Sequence, residues 1–291
     1  MIGTYTFSQG EEILSRSHNV ITSEGKKIIL RSFVTGMAMG NSLAVGVGTS
    51  TPSVADYRLQ YQTGLTPIKT SGTDTNNNRI IFKGSLDPLL YTKIYEVGMY
   101  FGPAPLQLEL YKFTSDQAWT GTPSFSAVNN RVGRESLVLA PTVSATAGTT
   151  LSTAVGLDLN AFNEDDDISL AYWVANAFSA SITVRIGTDA SNYWQHVIVA
   201  PPAGYRISVF SRSGMTKVGN PIWGGVQYVS VSTTSTAGGA SAVHLDGLRI
   251  DDIDAANRGS ILVSRSLPSD PKIKYDNKSI DIEYAVAMGI G

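Results

Sequence analysis

Short runs in which apolar and polar side chains alternate, each closed by Gly, Pro, Asn, Asp or Ser, recur along this chain and constrain its fold more than any other feature. Ser181–Ile186 (SITVRI) shows the pattern plainly. Ile182, Val184 and Ile186 fall on one side and Thr183 and Arg185 on the other, as a half-buried strand requires. Tyr205–Phe210 (YRISVF), Val226–Val231 (VQYVSV) and Ser279–Val286 (SIDIEYAV) repeat it. Many short strands between turn signals predict an all-β chain of sandwich type.

One stretch breaks the two-residue period. Ser23–Val34 (SEGKKIILRSFV) predicts a short helix, with Thr22 or Ser23 as its N-terminal cap and Gly36 where a C-terminal cap belongs. Ile29 with Phe33, and Leu30 with Val34, form i,i+4 pairs on an apolar face expected to pack across a sheet. Gly25 in the first turn counts against the helix.

Two punctuated stretches suggest how the chain is divided. Gly102-Pro103-Ala104-Pro105 follows the strand-like Val97–Phe101, and the acidic run 251–259 precedes Ser260–Leu267. Such clusters are the usual crossings between domains. The expected organisation is a discontinuous β-sandwich of residues 1–104 and 259–291, carrying an inserted jelly-roll-like sandwich of residues 105–258. Two consecutive domains with a C-terminal tail are the alternative.

Composition removes several function classes. Cysteine is absent, so disulfides, thiolate metal sites and cysteine nucleophiles are excluded together. The net charge of -2 gives no electrostatic basis for binding nucleic acid or an acidic membrane. No apolar run reaches the roughly 20 residues of a membrane-spanning helix. Met1–Gly10 lacks the basic and apolar segments of a secretory leader. Charged residues make up 16% of the chain, against about 25% in typical soluble domains, which points to a surface that is neutral or covered by partners.

The outer segments resemble a recurrent pattern of bacteriophage tail and virion proteins. Its parts appear in order: a helix opening at Thr22–Lys27 (TSEGKK), a glycine-rich strand and turn at Leu43–Leu59, a strand YEVGMYF at Tyr95–Phe101, and the segment Ile261–Met288 containing ILVSRSL. The insert resembles a carbohydrate-binding jelly roll in the style of Asp167–Val199 and Ala242–Ile253. These resemblances imply a non-enzymatic structural protein on the surface of a virion assembled in the host cytoplasm. Capsid decoration or head-fibre attachment is the leading role, and its partners would be other virion proteins and copies of itself. A tail-fibre or baseplate adhesin whose insert binds host-surface glycans is the alternative, and a polysaccharide-degrading enzyme is a third reading. No cofactor is expected: the GxG of Gly46 and Gly48 lacks the third glycine and the following helix of a dinucleotide fingerprint. Those two glycines read instead as a strand end that needs backbone freedom.

Residues with chemical potential are few. His18, His196 and His244 lie far apart in sequence, and no GxSxG elbow is present, so no catalytic constellation is expected. Glu109, Glu135, Asp158 and Asp246 are carboxylates from which a hydrolase would need a pair. The run Glu164–Asp167 is either a solvated turn or an oxygen-rich calcium site. All four Trp lie in the insert, and alternation puts Tyr172 opposite Trp173 and Tyr193 opposite Trp194. Most of these rings are expected in the core. Trp173, Tyr193, Trp194 and Trp223 are the candidate glycan contacts, because aromatic faces stack on sugar rings when exposed.

Overall fold

A computed structural model describes residues 2–121, 123–275 and 277–287, so Asp276 and Met288 of the last motif lie outside the described residues. The chain is all-β with one α-helix, and it divides into two compact units: residues 1–105 with 254–291, and residues 106–253. The turn 254–260 groups with the outer unit, where Ser260 N–H donates to Ala255 O and Arg258 N–H to Asp254 O.

The outer unit contains two five-stranded antiparallel sheets. One has the order Glu12–His18, Ile2–Gln9, Asp281–Ala287, Arg79–Ser85, Thr70–Asp74. The other has the order Val20–Ile21, Ile261–Ser266, Glu96–Phe101, Ser42–Gly46, Gln62–Pro67. Ile261–Ser266 thus pairs with the strand ending at Phe101, as expected from the interrupted pattern, although some 160 residues separate them in sequence. Tyr5, Phe7, Tyr284, Val45, Val97 and Val263 belong to one apolar core.

The first three motif segments of the outer unit converge on Ile261–Ser266, which opens the fourth. Thr22 Oγ1 accepts from Gly25 N–H at 2.9 Å, capping the helix Ser23–Thr35, and donates to Leu262 O. Gly25 is required by this docking: a Cβ there would stand 2.0 Å from Val263 O. Ser264 Oγ lies 2.6 Å from the hydroxyl of buried Tyr5. Arg265 is buried against Glu96, with Nη2 at 2.9 Å from Oε2, and reaches Asp56 and Ser50 of the following loop. Glu96 also accepts the backbone N–H groups of Gly48, Gln60 and Tyr61, so one carboxylate fixes the loop from Val47 to Tyr61.

Two expectations change here. Gly46 and Gly48 are not at positive φ; a Cβ at either would stand within 2.6 Å of Glu96 Oε1, so close approach rather than backbone freedom demands glycine. The helix buries Gly25, Ile28, Ile29 and Ser32, while Leu30 and Val34 are 63% and 86% exposed and Phe33 is exposed too. Gly36 closes the helix as expected, at φ 69° with its N–H on Ser32 O.

The inserted unit packs two sheets over one core that includes Leu110, Phe113, Leu137, Ile168, Ile182, Val184, Trp194, Val231, Leu245 and Ile250. Its five-stranded sheet has the order Thr146–Leu157, Val226–Ser235, Ser179–Asp189, Asn192–Val199, Thr216–Val218. Its six-stranded sheet has the order Ser124–Ser126, Ser136–Leu139, Val243–Asp251, Asp167–Val174, Gly204–Ser211, with Gln107–Tyr111 also paired to Val243–Asp251.

Candidate functional site

Strand alternation gives the five-stranded sheet one apolar face and one polar face. Ile182, Val184 and Ile186 point into the core with Trp194, Val229, Val231 and Leu151. The register then sets the outward residues in rows across the sheet. Ser152, Tyr228, Gly187, Tyr193 and Val218 form the first row, and Thr150, Ser230, Arg185, Gln195 and Thr216 the second. Gly148, Ser232, Thr183 and Val197 follow, then Thr146, Thr234, Ser181 and Val199.

The first two rows are tied together. Gly187 lies between two tyrosines because no side chain fits there: its Cβ would stand 2.8 Å from that of Tyr193. The rings of Tyr193 and Tyr228 have centroids 6.5 Å apart, with Tyr228 buried and Tyr193 partly exposed. The Arg185 guanidinium lies 4.9 Å from the centre of the Tyr193 ring, and its Nε–H donates to Gln195 Oε1 at 2.8 Å. Along the strand Asn192–Val199, every second residue from Tyr193 through Gln195 and Val197 to Val199 is on the open side, a strip about 20 Å long at the usual strand rise. Hydroxyls of Ser181, Thr183, Ser230, Ser232 and Thr234 flank it.

Of the four candidate aromatics, only Tyr193 lies on this face. Trp194 and Trp223 are 7% and 5% exposed and meet edge to face at 5.3 Å in the core, with the Arg212 guanidinium over both rings. Buried in this way, neither ring presents the exposed face that stacking on a sugar needs. Trp173 is on the other sheet, 5.0 Å from the ring of His244. The expectation that each adjacent pair splits between two faces holds: Tyr172 and Trp194 are in the core, and Trp173 and Tyr193 are not.

The outward side of the six-stranded sheet is chemically different. His244, Asp246, Arg249 and Asp251 are all buried. Asp246, the extra residue of a bulge opposite Ala171 and Tyr172, accepts the N–H groups of Arg131 and Val132 and the Tyr205 hydroxyl through Oδ2. Arg131 stacks over the Tyr205 ring at 4.0 Å, and Arg249 pairs with Asp251 at 2.5 Å.

The histidines remain separate. His18 is on an edge strand of the outer unit and lines a cleft of about 650 Å³ with Arg16, Arg79 and Glu283. His196 stacks on Phe210 at 4.1 Å, and burial lowers its pKa. Burial also lowers that of His244, whose Nδ1 is 3.2 Å from Ser136 Oγ. This serine–histidine contact was not foreseen. Both groups are buried, the Ser136 hydroxyl reaches Ser126 O, and Asp246 is held by other donors. Glu109 faces Lys112, while Glu135 and Asp158 accept from Ser115 N–H and Asn160 N–H. In the acidic run, Asp166 accepts from Asn163 N–H and Ile253 N–H, and Asp165 from the Ser213 hydroxyl. Among the described residues, no cluster of three or more His, Asp or Glu side chains is arranged to hold a metal ion.

No protein-family model matches the chain. No curated protein matches it either. Solved structures similar to part of it include a family 11 carbohydrate-binding module from Clostridium thermocellum in complex with a β-1,3-1,4-mixed-linked tetrasaccharide. That match has 14% identity and a TM-score of 0.39, covering 52% of this chain and 98% of the module. A family 30 carbohydrate-binding module is 12% identical with a TM-score of 0.41, covering 50% and 88%. The agarase AgWH50C is 11% identical with a TM-score of 0.37, covering 50% of this chain and 24% of the enzyme. At these values the likenesses carry no argument about what this chain binds.

Proposed function

We propose that the protein is a non-catalytic glycan-binding protein, and that its inserted unit binds a polysaccharide on the open face of the five-stranded sheet. The observation that carries this reading is the strip Tyr193, Gln195, Val197 and Val199 with its flanking hydroxyls. A sugar ring has apolar C–H faces and a hydroxyl edge. An aromatic ring beside exposed Val side chains suits the faces, and Arg185, Gln195 and the Ser/Thr columns suit the edge. This favours the adhesin alternative over pure decoration. Binding of the full chain to a panel of soluble polysaccharides, with a parallel assay for released product, tests it. The reading expects retention without turnover; product release abolished by one carboxylate substitution overturns it.

The outer unit has the role of a mount in this scheme. The virion setting rests on the sequence resemblance alone, and the exposed helix residues Leu30, Phe33 and Val34, with Met37 just beyond the helix, favour a docked arrangement. Light scattering should show self-association, or else binding to particles, weakened by Val34→Glu. A monomer at high concentration that also ignores particles contradicts the mount.

A further inference from the structure

The charge pattern of the open face narrows the class of glycan, an inference that rests on the reading just given. Four rows of outward residues contain no Asp or Glu. One cation stands among them, Arg185, and it differs from the arginines that are locked in ion pairs. Arg249, Arg265 and Arg79 each meet a carboxylate, at 2.5, 2.9 and 2.6 Å. Arg185 has no ion-pair partner among the described residues; its side chain makes one hydrogen bond, from Nε to Gln195, and one ring contact, to Tyr193.

These two contacts hold the guanidinium in place without neutralising it. Gln195 is uncharged, and a tyrosine ring attracts a cation without cancelling its charge. With Nε engaged, the two terminal nitrogens remain to donate. Their planar fork matches a carboxylate, which accepts two parallel N–H bonds. A neutral face with a single, oriented, half-buried cation is complementary to an otherwise uncharged ligand bearing spaced carboxylates.

We infer that the ligand is an acidic polysaccharide of the uronate class, whose carboxylate is gripped by Arg185 while its sugar rings lie along Tyr193, Val197 and Val199. Arg185 sets the specificity and the strip supplies sequence-tolerant apolar contact. A neutral glucan would leave the guanidinium half-desolvated with no anion, so the face should discriminate against it.

The test uses the full chain and two probes with one backbone: polygalacturonate and its carboxyl-reduced counterpart. Calorimetric titration should show polygalacturonate bound at least about tenfold more tightly, with the advantage shrinking as salt rises. Arg185→Gln should abolish that preference while binding of the reduced polymer persists. Arg185→Lys should keep part of it, since charge remains and the fork is lost. Tyr193→Ala should weaken both probes. Equal binding of the two probes by the parent chain, or a preference that survives Arg185→Gln, overturns the uronate assignment and leaves the glycan reading intact. Failure to bind either probe or any neutral polysaccharide overturns both.

Discussion

The two outward faces of the inserted sandwich stand in direct contrast. On the six-stranded sheet the polar residues are buried and engaged with one another: Asp246 takes three donors, and Arg249 meets Asp251. On the five-stranded sheet the outward polar residues are mostly uncharged and partly exposed, and Arg185 meets no carboxylate among the described residues. Buried charge is costly unless paired and hydrogen-bonded, so the first face is committed to holding the fold. The second leaves its polar groups partly exposed, and in the proposed reading these are the groups a ligand would meet. Polar groups on a single sandwich thus divide into structural and available sets by burial rather than by residue type.

Substitutions should separate these sets, and the core between them sets the upper limit. Trp194→Ala removes a buried ring that packs on Trp223 and should cost about 3–5 kcal/mol in urea unfolding. On the six-stranded face, Asp246→Ala leaves two backbone N–H groups and the Tyr205 hydroxyl without their acceptor and should cost about 2–4 kcal/mol. If Asp246→Ala proves neutral, the distinction between the faces fails. On the five-stranded face, Tyr193→Ala should change stability by no more than about 0.5 kcal/mol yet weaken polysaccharide binding about tenfold.

The smallest effect expected is on pH dependence. Burial depresses the pKa of His196 and His244 below the ordinary 6.5, so the folded state favours neutral imidazole while the unfolded chain takes up protons near 6.5. Their contribution is therefore complete above pH 6.5 and is lost as pH falls from there through the lowered folded values. Unfolding midpoints at pH 7.5 and pH 5 should differ in that direction, and His244→Asn should reduce the difference.

Features governed by local periodicity were legible in the sequence. The helix runs Ser23–Thr35 against an expected Ser23–Val34, and Ser181–Ile186 presents the two faces read from its alternation. Features governed by partners distant in sequence were not. Gly25 counts against a helix until Val263 is placed beside it, and Gly46 and Gly48 read as flexible until Glu96 fills the space. Leu30 and Val34 have the spacing of a buried face but lie outside it, since Gly25 sets which side of the helix meets the strand. Alternation could separate Tyr193 from Trp194, but only cross-strand register shows that Tyr193 stands with Arg185, Gln195 and Tyr228. Arg185, unpaired on a neutral face, gave no signal in one dimension.

The most direct test sets one aromatic residue from each face against the other. Polysaccharide binding by the full chain should be compared for Tyr193→Ala on the five-stranded sheet and Trp173→Ala on the six-stranded sheet, each checked for folding by circular dichroism. The account predicts that Tyr193→Ala loses about tenfold in affinity while Trp173→Ala binds as the parent chain does. Loss of binding in Trp173→Ala with full binding retained in Tyr193→Ala would contradict it and move the site to the other sheet.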